Sequence, residues 1–240
     1  MIDNENNENK KPTLRGYVPT DKKQFSEKQI PILKKAQLEI QWLLDKDYPI
    51  KNAIKFVCDH YMISTRQRLA LLRATAPTLA IKERKNKQAT NLENKTLHID
   101  GFNLIITLEV ALSGSPIIKS MDCAVRDLAE IRGTYRLIDK TDIAIDLIAN
   151  KLKSMKVYSV VFYLDEQVSN TGRLKAKILE RLQNLKVSVE IIKNVDKVLK
   201  NKDYVVTSDA MIINECTSWV NLANDIISES INNVYYIDLG

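Results

Sequence analysis

The sequence predicts an α/β fold: a mostly parallel, Rossmann-like sheet with helices on both faces, preceded by a small all-α unit. Three observations carry this. From Thr96 onward, short runs rich in Val, Ile and Tyr (97–99, 157–164, 187–192, 204–206 and 234–237) alternate with helix-length segments. Continuous apolar strands separated by helices imply a parallel sheet covered on both sides. Before Thr96 the apolar residues instead recur at three- and four-residue steps, the helical period. Between the two, residues 82–95 (KERKNKQATNLENK) have no apolar period and read as a charged linker. The expected organisation is a flexible tail over 1–24, a helical unit over 25–80, a linker over 81–95 and an α/β domain over 96–240.

The elements follow in order. The tail is rich in Asn, Lys and Glu, too polar to bury much surface. A first helix starts near residue 26 or 31 and ends at 44. Leu33, Ala36, Ile40, Leu43 and Leu44 lie on one face, with Pro31 suited to its first turn. Tyr48-Pro49 breaks it, and Ile50, Ala53, Ile54 and Val57 line a second helix. After a bend over 60–63, Ser64 and Gln67 form a capping-box signature for a third helix, TRQRLALLR, which Pro77 ends. Two short helices joined by a tight bend, with arginines on the second, outline a helix-turn-helix. Arg66 and Arg73 share a face, suited either to nucleic-acid phosphates or to acidic side chains of the following domain. In the α/β domain, helices are expected near 104–112, 125–131, 141–153, 173–185, 211–214 and 219–230. No internal repeat is evident.

Composition narrows the class. The chain has 240 residues, 45% of them hydrophobic and 28% charged, ordinary values for a globular protein. No apolar run approaches a membrane span, and the polar N-terminus has no secretory core, so a cytoplasmic protein without membrane contact is expected. Three widely spaced cysteines fit a reducing compartment. With two histidines and no paired cysteines, structural zinc is not expected. The dinucleotide and P-loop glycine patterns are missing, as is a Gly-x-Ser-x-Gly elbow. Charge is uneven. Residues 1–95 carry 19 Lys and Arg against 11 Asp and Glu, and residues 96–240 carry 17 against 19. A basic front suits a polyanion and a slightly acidic back suits cations.

The chemistry is expected at the strand ends, because ligands of open α/β sheets bind at the carboxyl edge. The first strand ends in Asp100-Gly101-Phe102-Asn103, the second in Leu164-Asp165-Glu166, and the fourth in Thr207-Ser208-Asp209. Each Asp alone suits a helix N-cap. Three on one edge repel one another unless a cation neutralises them, and hard oxygen ligands suit Mg²⁺ or Mn²⁺. Such a site favours phosphodiester hydrolysis. A fourth carboxylate is sought among Glu109, Asp122 and Asp127, with Asp127 placed in the metal set. Asn170 and Arg173 open the helix after the second strand. Arg126, Arg132, Arg136 and Arg173 are candidates for a substrate phosphate, with salt bridges to the nearby acids as the alternative for the first three.

The motifs IDGFNLIITLEVALSG, VRDLAEIRGTYR, LDEQVSNTGR and VVTSDAMII, with LLDKDYPIKNAIKFVCDHYMISTRQRLALLR before them, resemble the domain of unknown function 434 family and its C-terminal partner domain. The C-terminal half further resembles PIN/NYN-like nuclease domains, through Asp-Gly-Phe-Asn at 100–103 and Thr-Ser-Asp at 207–209. That resemblance implies Asp100, Asp165 and Asp209 as Mg²⁺ or Mn²⁺ ligands, with Asn103 and Ser208 supporting them. The expected function is a metal-dependent nuclease, acting on RNA rather than DNA, with the basic helices positioning the nucleic acid and a homodimer as a possible assembly. The alternatives are a non-catalytic nucleic-acid-binding protein and a small-molecule phosphohydrolase.

Overall fold

The computed structural model describes residues 13–131 and 133–240. Arg132 and the first half of the expected tail lie outside the described residues. The elements are α1 (Asp21–Gln24), α2 (Ile30–Leu44), α3 (Ile50–His60), α4 (Thr65–Ala74), α5 (Thr78–Asn86), β1 (Thr96–Asp100), α6 (Gly101–Leu112), β2 (Ile117–Lys119), β3 (Val125–Asp127), α7 (Thr141–Ser154), β4 (Ser159–Asp165), α8 (Thr171–Arg181), β5 (Val187–Ile192), α9 (Val195–Leu199), β6 (Val205–Val206), α10 (Ala210–Glu215), β7 (Trp219–Val220), α11 (Leu222–Ser230) and β8 (Tyr236–Asp238).

The main sheet has five parallel strands in the order β5-β4-β1-β6-β7. Strand alternation sends successive side chains to opposite faces. Leu97 and Ile99 of β1, with Val160, Phe162 and Leu164 of β4, pack under α6, α7, α8 and α11. Tyr163 and Val205 point the other way, into a smaller cluster with α9 and α10. Both faces are therefore covered, as the continuous apolar runs predict.

A second sheet, β3-β2-β8, joins this domain to the helices. Ile117 and Val125 face the main core, whereas Ile118 and Ile237 face Leu33, Ile40, Val57 and Leu71 of α2–α4. Gln37 of α2 donates to the Leu239 carbonyl at 2.8 Å. The helical unit thus shares its core with the chain's last strand.

Five sequence expectations change. Residues 125–131, expected as a helix, begin as strand β3, because a tight turn with Cys123 at φ 68° folds β3 back on β2. Residues 219–230 begin as β7, and the helix starts only at Leu222. The run 234–237 supplies β8, which pairs with β2 rather than with the main sheet. The segment read as linker is helical through Asn86, with Arg84 buried. Residues 13–24, read as tail, also pack into the fold, and Asp21 is buried. Among the described residues no helix is long and apolar enough to cross a membrane.

Candidate functional site at the carboxyl edge

Strands β4, β1 and β6 are neighbours, so Asp165, Asp100 and Asp209 stand at one edge. Gly101 makes this packing possible. A Cβ there would lie 2.5 Å from the Leu164 side chain and 3.2 Å from the Tyr163 carbonyl. Asp100 accepts from the Asn103 N–H at 3.3 Å and from the Thr207 hydroxyl at 3.1 Å. Asn103 Oδ1 accepts from the Ser208 N–H at 2.8 Å and the Ser208 hydroxyl at 3.1 Å. The ends of β1 and β6 are thereby laced together. Asp209 caps α10 through Met211 N at 2.7 Å, and Asp165 accepts from Gln167 N at 2.8 Å.

Electrostatics brings in a residue the sequence reading missed. Asp196 of α9 is pushed above the usual carboxylate range, first by burial and then by Asp209, with Asp165 adding to it. The Asp100 carboxyl is pushed up to about 7, mainly by burial, with Asp209 and Asp196 contributing. Although solvent reaches part of Asp100, its carboxyl is enclosed. Lys200 lowers the Asp196 value and pairs with Glu215 at 2.7 Å. Asp196 lies in a helix of five residues after a left-handed Asn194, a pattern with no periodic signal. Only its convergence in space marks it.

A recess of about 480 Å³ holds Asp165, Asp196, Lys197, Lys200 and Glu215. A larger cleft of about 800 Å³ runs between the helical unit and the sheet edge, with Asn103, Ser208 and Asp209 on one side and Arg73, Arg84 and Arg126 on the other. Among the described residues no three or more His, Cys, Asp or Glu side chains are close-set enough to hold a metal ion. The donor chemistry of the aspartates fits Mg²⁺ or Mn²⁺. Their spacing does not form a ready cage.

The other acids sought as a fourth ligand are engaged elsewhere. Glu109 is buried beside Arg15, Tyr135 and Thr141; Arg15 Nε lies 2.6 Å away and the Tyr135 hydroxyl donates at 2.8 Å. Asp122 is clamped by both Arg126 nitrogens, at 2.8 and 2.7 Å, and by Arg84 at 2.7 Å. Asp127 accepts from Thr107 and Ala129 and is held by Arg73.

The arginines follow the same pattern. Arg126 spends its third nitrogen on the Ser208 carbonyl at 2.8 Å, so it holds the Ser208–Asp209 turn in place. Arg66 makes a two-pronged contact with Asp21 at 3.0 and 3.1 Å and reaches the Gly16 and Leu128 carbonyls. The helix outlined as a recognition helix therefore turns Arg66 and Arg73 inward, against β3. Asn170, at φ 62°, donates to the Tyr135 carbonyl and not to the acidic edge. Arg173 is exposed in the first turn of α8, beside the end of β4, and Arg136 is exposed with its carbonyl bound by Arg15.

Residues 89–225, more than half of the chain, match the family described as domain of unknown function DUF5616. The chain belongs to that family. Residues 32–87 match the family described as protein of unknown function DUF434. The two matches meet at Gln88, which bridges to Trp219 of β7. An uncharacterized protein of Methanocaldococcus jannaschii is 36% identical over 203 residues, covering 83% of this chain and 96% of its own length. No solved structure matches the chain.

Proposed function

We propose that this DUF5616 protein is a metal-dependent phosphodiesterase of the PIN-like kind, cleaving RNA in preference to DNA. One observation carries the reading: Asp100 and Asp165 end β1 and β4, Asp209 follows the adjacent β6 by three residues, and Asp196 is within electrostatic reach, so that burial and like charge raise Asp100 and Asp196 together. Asp100 is enclosed, Asp165 and Asp209 are half-buried and Asp196 is exposed, and acids so gathered favour a cation even with Lys197 and Lys200 nearby. Asp100, Asp209 and Asp196 would hold it, with Asp165 at the rim. When bound, Mg²⁺ or Mn²⁺ supplies positive charge for a phosphate and acidifies water. The chain's own part is positioning. Asn103 and Arg126 fix the Ser208–Asp209 turn, and Arg173, Lys197 and Lys200 offer cations to a substrate backbone.

The capping bonds of Asp165 and Asp209 favour a second reading, a non-catalytic scaffold in which the aspartates only order loops. One assay separates the two. Labelled RNA and DNA of mixed sequence and a nucleotide substrate are incubated with Mn²⁺ and wild type, Asp100→Asn, Asp196→Asn or Asp209→Asn. The enzyme reading expects RNA cleavage that chelator and each substitution abolish. No cleavage, or cleavage indifferent to all three substitutions, overturns it. Phosphate release from the nucleotide alone points to a small-molecule phosphohydrolase.

A further inference from the structure

The outer face of the α2–α3 hairpin carries a cluster that none of the described residues covers. Leu38, Trp42 and Phe56 are 61%, 62% and 73% exposed. They flank a groove of about 360 Å³ whose floor includes Leu43 and Val57, and Glu39 is its one charged member. Large apolar side chains scattered singly are normal, but two aromatics and a leucine around one groove mark an interaction surface. The opposite face of α2 already buries Leu33, Ile40 and Leu44 in the core, so this is a second, separate apolar stripe on the same helix.

The spacing along that stripe selects the occupant. Lys35, Leu38, Trp42 and Asp45 follow at steps of three and four, which keeps them on one side of the helix. They are also symmetric about position 40. Leu38 and Trp42 each lie two residues from it, and Lys35 and Asp45 each lie five. A two-fold axis crossing α2 at that level sets Leu38 against the second copy's Trp42, and Lys35 against the second copy's Asp45. A two-fold interface uses the same patch twice, so it needs this kind of self-complementarity. Asp45 is exposed, and its carboxylate accepts from the Thr78 N–H and hydroxyl, both at 2.7 Å. Lys34 lies beside the stripe and pairs with Asp238 of its own chain at 3.7 Å.

We infer that two copies of this chain associate through their α2–α3 hairpins, with the α2 helices antiparallel and Leu38 and Trp42 at the centre. The inference is independent of the catalytic reading, because the face lies on the helical unit, away from the carboxyl edge.

Sedimentation of the full chain from low to high micromolar concentration tests it. The expected mass approaches twice the 27.4 kDa of one chain. The chain has two tryptophans, and Trp219 is fully buried, so acrylamide quenching reports on Trp42. Quenching is expected to fall as concentration rises. Leu38→Glu should give a single-chain mass, with the melt that wild type shows at a concentration where it too is a single chain. Lys35→Asp should weaken association roughly two- to thirtyfold at low salt, and combining it with Asp45→Lys should restore it. A single-chain mass throughout, including one in which only a different protein occupies the groove, overturns the inference. So does a dimer indifferent to Leu38→Glu.

Discussion

Asn103 Oδ1 accepts both hydrogens that Ser208 offers, the N–H at 2.8 Å and the hydroxyl at 3.1 Å. The bond spans 105 residues of sequence and fixes the distance between the ends of β1 and β6. Asp100 and Asp209 hang from those two ends, so this amide side chain, with the Thr207–Asp100 and Arg126–Ser208 bonds, holds the shape of the acidic edge.

Replacing Asn103 with Ala should therefore loosen that edge. It leaves the Ser208 N–H without its acceptor in a buried loop, a loss of about 1–3 kcal/mol. Urea unfolding should show the midpoint falling with an unchanged slope. If the nuclease reading holds, cleavage should fall by more than the stability loss explains, since Asn103 acts through the position of Asp209.

Asp122 offers a pH prediction. Burial pushes its carboxyl up, but the Arg126 fork and then Arg84 outweigh burial and hold it below the usual range. A depressed folded-state value gives stability that is complete above the unfolded value, about pH 4, and is lost as pH falls through the lower folded one. Wild type should thus lose stability steeply below about pH 4, and Asp122→Asn should flatten that limb. Asp122→Ala leaves two buried guanidinium groups sharing no anion, and should cost about 3–5 kcal/mol at neutral pH. Chemical denaturation across the acid range measures both.

Arg15 lies in a segment whose composition reads as a tail, yet it neutralises Glu109 in the core. Its guanidinium also sits 4.8 Å from the Tyr135 ring centre. The contact with Glu109 is too bent for a hydrogen bond and acts as an ion pair. Burial already raises the Glu109 carboxyl, and Arg15 is the main influence lowering it. Arg15→Ala should destabilise the fold by about 3–5 kcal/mol. Double replacement with Glu109→Gln should recover much of that, because it removes the stranded charge. Comparing the three melts tests the pairing.

The sequence by itself determined the local elements. Ser64 and Gln67 do form the reciprocal cap of α4, and Pro49 does precede α3. The run 187–192 is β5 to the residue. Asp100 and Asp165 do end neighbouring strands, and Asp209 caps the helix three residues past the next one. Each of these rests on periodicity or on side-chain bonds a few residues long, which the order of residues states directly. The tertiary structure alone decided which sheet β8 joins, which way Arg66 and Arg73 face, and that Asp196 comes within electrostatic reach of Asp100 and Asp209. Strands of three residues such as β2 and β3 are too short to show alternation, and Val125, Leu128 and Ile131 imitate a helical step. A guanidinium reads the same in sequence whether it meets solvent, phosphate or a buried carboxylate. Its partner is settled by which charges the fold removes from water together, and that depends on contacts between residues far apart in the chain, 45 apart for Arg66 and Asp21 and 54 for Arg73 and Asp127.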